Sequence, residues 1–102
     1  MRFSPKHRRD GNHKAIAKRL EELGCSVADT SQVGGSFPDL VVGLLGRDYL
    51  VEVKEVGKFL TDDQVKFHQD WRGEMPVTIW TEEQAETWVN TMRRRIIDSF
   101  RL

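Results

Sequence analysis

Asp39, Glu52 and Lys54 bring two acids and an amine into two neighbouring apolar runs, residues 39–45 (DLVVGLL) and 49–55 (YLVEVKE). Two carboxylates close together make a hard anionic site suited to Mg²⁺, an ion that keeps several waters and readily takes phosphate oxygens. A divalent ion held there lowers the pKa of a coordinated water and stabilises charge on a transferring phosphoryl group. An ammonium beside it orients or deprotonates the attacking water, or neutralises the crowded phosphorus centre. The plainer alternative is a surface cluster of exposed ion pairs, each worth ~0–1 kcal/mol.

Whether the three side chains meet depends on strand parity. Both runs carry strand signals and are separated by a turn region, Gly46-Arg47-Asp48. With Gly46-Arg47 as a two-residue turn, Leu45 faces Asp48, Val41 faces Glu52 and Asp39 faces Lys54. Facing residues share a side of the sheet and residues alternate along each strand. One side then presents Leu40, Val42, Leu44, Tyr49, Val51 and Val53. The other gathers Asp39, Glu52 and Lys54 beside Val41, Gly43 and Leu50. A turn at Arg47-Asp48 keeps this grouping, whereas a three-residue loop breaks it.

The surrounding elements follow from periodicity and caps. A first helix is expected to start near Asp10 to Asn12, carry Ile16, Leu20 and Leu23 on one stripe, and stop at Gly24. Residues 25–29 read as a short strand, followed by a turn-rich loop over 30–38. Thr61-Asp-Asp-Gln64 is a capping box opening a helix with Phe67, His68 and Trp71 on one face. Residues 77–80 form a fourth strand, and Thr81-Glu-Glu-Gln84 opens a last helix striped by Ala85, Trp88, Val89, Met92 and Ile96. The order α-β-β-β-α-β-α implies an α/β fold, one mixed sheet flanked by helices on both faces. Trp71, Trp80 and Trp88 are expected to pack rather than stack on bases.

The 102 residues predict a single domain over 1–102, and 38% apolar content with three Trp and five Phe is globular composition. No apolar run is long enough to span a membrane and no signal peptide is visible. Cys25, the sole cysteine, gives no internal disulfide framework and suits a reducing cytoplasm. It lacks zinc-ligand spacing with the three histidines. Sixteen bases balance sixteen acids, but unevenly: residues 1–19 carry +6, residues 93–102 carry +3, and the middle carries −9. Basic ends around an acidic centre suit phosphate-binding flanks beside a cation site, or merely solvated helix faces.

On these residues the chain resembles the PD-(D/E)XK nuclease superfamily: Pro38-Asp39, twelve intervening residues, then Glu52-Val53-Lys54. It is similar in particular to the small stand-alone VRR-NUC type, met also among Holliday-junction-resolvase-like and phage proteins. The approach Gly34-Gly-Ser-Phe-Pro-Asp39, the strand Leu50-Val-Glu-Val-Lys54 and Leu60-Thr-x-x-Gln64 carry that likeness. The resemblance implies a restriction-endonuclease-like α-β-β-β-α-β core. It implies Asp39 and Glu52 as metal ligands with the Val53 carbonyl, Lys54 positioning the water, and Gln64 pointing toward the site. Mg²⁺ is the implied cofactor, with Mn²⁺ able to substitute. Many relatives carry a further acid on the first helix, where this chain reads Asp10-Gly-Asn12-His13.

The expectation is therefore a Mg²⁺-dependent DNA endonuclease directed by DNA structure (junctions, flaps or nicks). It would act as a homodimer in the cytoplasm, a host cell's if a phage encodes it. Lys6, Arg8, Arg9, Lys14, Arg93 and Arg94 are expected to hold the DNA backbone. Two rivals stay open: a DNA-binding protein with a silent nuclease fold, and a phage accessory protein with a metal-stabilised acidic cluster. An RNA-directed nuclease is a third.

Overall fold

The computed structural model describes residues 11–101. In chain order these form α1 (His13–Glu22), β1 (Ser26–Asp29), β2 (Leu40–Leu44), β3 (Arg47–Val53), α2 (Asp62–Asp70), β4 (Val77–Ile79) and α3 (Glu82–Asp98). The strands lie in the order β1-β2-β3-β4; the first three run antiparallel and β4 runs parallel to β3. A parallel step needs a crossover, and α2 supplies it. The fold is thus α/β with a mixed four-stranded sheet and three flanking helices, in the element order read from the sequence.

Gly24 ends α1 as expected. Its φ of 99° is left-handed, and the amides of Gly24 and Cys25 return to the carbonyls of Glu21 and Leu20, a Schellman motif. Asn12 stands at the N-cap position, but its side chain does not cap the helix. The apolar side of the β2–β3 hairpin is buried as parity predicts: Leu40, Val42, Leu44, Tyr49, Val51 and Val53 join Ile16, Leu20, Ala85, Val89 and Ile96 in one core. Each such fully buried aliphatic contributes roughly 1.5–3 kcal/mol. Trp88 meets Tyr49 edge-on at 5.3 Å, on the packing side. Burial raises the Cys25 thiol pKa, so the thiol stays protonated in the core.

α2 is built differently. It carries no buried residue and meets the opposite side of the sheet through Gln64, so helices flank both faces but unequally. Trp71 departs from the packing expectation. The helix ends at Asp70, Trp71 takes an extended ψ of 127°, and its side chain is 42% exposed outside the core.

The hairpin register is shifted by one pleat repeat from the expected one. Leu44 faces Arg47, Val42 faces Tyr49 and Val41 faces Leu50, so the turn residues are Leu45 and Gly46. Both have positive φ, 50° and 85°, the pattern of a type I′ turn that matches strand twist. A two-residue shift preserves parity, hence the face grouping survives while the pairs Val41–Glu52 and Asp39–Lys54 do not. Leucine is a poor occupant of a left-handed position, whereas asparagine visits it readily. Leu45→Asn is expected to stabilise the chain by about 0.5–1 kcal/mol, read as a rise of a few degrees in the thermal midpoint.

Candidate functional site

Asp39 is delivered by a closed loop. Asp29 Oδ1 accepts from the amide and hydroxyl of Ser31. Thr30 then ties the loop's far end, its hydroxyl donating to the Pro38 carbonyl at 2.7 Å and its amide to the Asp39 carbonyl at 2.7 Å. Gly34, Gly35 and Ser36 all have positive φ, which lets the chain reverse inside so short a loop. Asp39 emerges half-buried, one residue beyond the Leu40–Val51 pair, where the same register sets it opposite Glu52. Its Oδ2 accepts the Val53 amide at 3.0 Å. That bond fixes the carboxylate on β3 and leaves Oδ1 with no bond among the described residues.

Glu52 is 3% exposed on the polar side of β3. A buried carboxylate is costly unless it is bonded or paired. Gln64 Nε2 donates to Glu52 Oε2 at 3.2 Å, while Gln64 Oε1 accepts the Thr61 amide at 2.9 Å. One side chain thus closes the capping box of α2 and touches the buried acid. Gln84 forms the equivalent box on α3 with Thr81 and meets no such acid among the described residues. Gln64→Glu keeps the cap but sets two carboxylates against each other. It is expected to cost about 1–3 kcal/mol at neutral pH, against no more than about 0.5 kcal/mol for Gln84→Glu. Like charges raise carboxyl pKa values in the folded state, so the Gln64→Glu deficit should shrink on acidification. Thermal melts of both variants at two pH values check this.

Lys54 follows directly. Its amide donates to the Ile79 carbonyl at 3.1 Å and its own carbonyl accepts from Asn12 Nδ2 at 2.9 Å, so the backbone is pinned on both sides. Its ammonium pairs with no carboxylate among the described residues. Asn12 Nδ2 also donates to the Trp80 carbonyl, which clamps the start of α1 to the ends of β3 and β4. Asn12 Oδ1 is buried with no partner among the described residues. The chain beyond Lys54 is braced as well: Glu55 accepts the Gly11 amide at 2.8 Å and pairs with Lys58 at 2.9 Å. The Lys58 ammonium and the Gly11 amide hold the Glu55 carboxyl below its ordinary pKa.

The remaining candidates are spread out. His68 on α2 is half-buried, its Nε2 has no partner among the described residues, and desolvation pushes its pKa below the usual histidine value, keeping the ring neutral at pH 7. Lys14 is exposed near the Asn12 end of α1. Arg93 sits at that helix's other end and donates to the Leu23 carbonyl at 2.7 Å, with Arg94 exposed beside it. Lys14 and Arg93 are therefore separated by about the length of α1, roughly 15 Å, rather than gathered in one patch. Lys6, Arg8 and Arg9 lie outside the described residues. Sequence reasoning missed the Asn12 clamp and the Thr30 tie. Asn12 bonds residues 42 and 68 positions away, which no local pattern announces.

No model of a known protein family matches this chain, and no curated protein matches it either.

Proposed function

We propose that the chain is a metal-dependent nuclease of the PD-(D/E)XK type, resembling the small VRR-NUC branch. It would hydrolyse phosphodiester bonds in DNA whose structure departs from uniform duplex. The observation that carries this reading is the bond from the Val53 amide to Asp39 Oδ2, which joins one acid to the segment bearing Glu52 and Lys54.

The donor set fits Mg²⁺ or Mn²⁺. Two carboxylates offer hard oxygens, and Asp39 Oδ1 carries no other bond among the described residues. No cluster of three or more His, Cys, Asp or Glu is present among those residues. Asp39, Glu52 and the Val53 carbonyl would hold the ion, with water and phosphate oxygens making up the shell. When bound, the cation supplies an activated water and offsets charge on the phosphoryl group. Lys54 would orient that water through its ammonium, its pinned backbone fixing the direction of approach. Gln64 would hold Glu52 in place. Lys14, Arg94 and the basic residues 6, 8 and 9 would contact phosphates, giving the negative salt slope of nucleic-acid binding. A two-fold homodimer would present two such sites to a branched substrate. No helix among the described residues is long and apolar enough to cross a membrane.

The test is incubation with Mg²⁺ or Mn²⁺ of four-way junction, flap, linear duplex and single-stranded DNA. The expected result is cleavage of branched substrates that stops when the metal is chelated. Metal-independent cleavage, or none on any substrate, contradicts the proposal.

A further inference from the structure

The exposed Trp71 belongs to an aromatic group that the core does not use. Its ring stacks on Phe67 with centroids 5.4 Å apart and planes 16° apart, and Phe37 stands edge-on to both at 5.6 and 6.3 Å. Gly73 lets the indole turn back on the chain, since a Cβ there would lie 2.8 Å from Trp71 Nε1. Beside the stack is a concavity of about 400 Å³, lined by Ser36, Asp63, Lys66, Phe67, Asp70 and Trp71.

The chemistry of this lining selects its occupant. Lys66 is already paired with Asp70 at 2.8 Å, and Asp63 has no partner among the described residues. The rim therefore repels phosphate and favours a neutral group with N–H donors at its edge. The aromatic wall favours a flat ring, because aromatic side chains left open to solvent gain by stacking on a base. A nucleobase bearing an amino group has both properties.

Location joins the concavity to the acidic site. Phe67 lies one helical turn beyond Gln64, the residue that touches Glu52, and Phe37 lies two residues before Asp39. Phe67 lies about 4.5 Å along the axis of α2 from Gln64, and Trp71 follows directly after the helix ends at Asp70, within reach of a nucleotide neighbouring one bound at the carboxylates.

We propose that the Phe67–Trp71 concavity takes one unpaired, amino-bearing nucleobase of the strand whose backbone lies at Asp39 and Glu52. This rests on the nuclease reading and deepens it: the substrate would have an unstacked nucleotide next to the cut.

The test is a titration of the full chain, without metal, with the single-stranded hexanucleotides dC6 and dT6. Cytosine offers an amino donor and thymine does not. The wild type is expected to bind dC6 more tightly than dT6. Trp71→Ala should weaken dC6 binding about tenfold and Trp71→Phe should recover most of it, as loss and partial return of a stacking face require. Asp63→Ala, which removes the acceptor, should bring dC6 close to dT6, and thermal melts establish that each variant is folded. Equal dC6 affinity in wild type and Trp71→Ala, or no preference for dC6 in the wild type, overturns the proposal. A wild type that cleaves DNA while Trp71→Ala binds normally removes this inference alone. The expected binding pattern in a chain that cleaves nothing removes the nuclease reading alone.

Discussion

Lys54→Ala is expected to lower the rate of DNA cleavage by at least about 100-fold, the scale seen when a group acting at the reacting centre is removed. Binding of the same DNA should change little, since one ammonium among several cations contributes a small part of phosphate affinity. Stability should also hold. The backbone bonds of Lys54, to Ile79 and from Asn12, do not involve its side chain, and its ammonium has no carboxylate partner to orphan among the described residues. Rate loss without loss of binding or fold separates catalysis from the rival of a silent nuclease fold. Unchanged cleavage by Lys54→Ala would remove the residue from the chemistry.

The largest stability effect is expected at Asn12. Its Nδ2 donates to the carbonyls of Lys54 and Trp80, holding α1 against the ends of two strands. A carboxylate has no donor and would face both carbonyl oxygens with a negative charge. Each partly buried carbonyl left without its donor costs about 1–3 kcal/mol, so Asn12→Asp should lose several kcal/mol near pH 7. In a chain of this size that is a fall of the thermal midpoint on the order of 10 °C or more. Asn12→Ala loses the bonds without adding the charge and should fall less. The introduced carboxyl is disfavoured when ionised in the fold, so its folded pKa is raised and the deficit narrows as pH falls through that value. An Asn12→Asp chain as stable as wild type would refute the clamp. The same bonds require a donor amide at position 12, which a carboxylate cannot supply.

The hairpin shows how far sequence reasoning reaches. Its buried and polar faces were legible because alternation survives any two-residue shift of the turn. The register was not, because the turn places Leu45 at a left-handed φ that leucine seldom adopts. Both capping boxes were legible from four consecutive residues, yet only the structure gives Gln64 its second bond, to Glu52. Trp71 misled because helical spacing from Gln64 and Phe67 suggests an inward stripe. The helix stops one residue earlier, and the indole turns onto Phe67 and Phe37 instead. Asn12 and Thr30 act through tertiary bonds, and nothing in their neighbours' identities encodes those partners.

Binding of Mn²⁺ to the purified chain, followed by electron paramagnetic resonance, tests the cation site most directly. Asp39→Asn is the informative comparison, because its amide oxygen can still accept the Val53 amide while the charge is gone. The account predicts saturable Mn²⁺ binding by the wild type, weakened at least about tenfold in Asp39→Asn and competed by Mg²⁺. No binding by the wild type, or equal binding by the two chains, would contradict it.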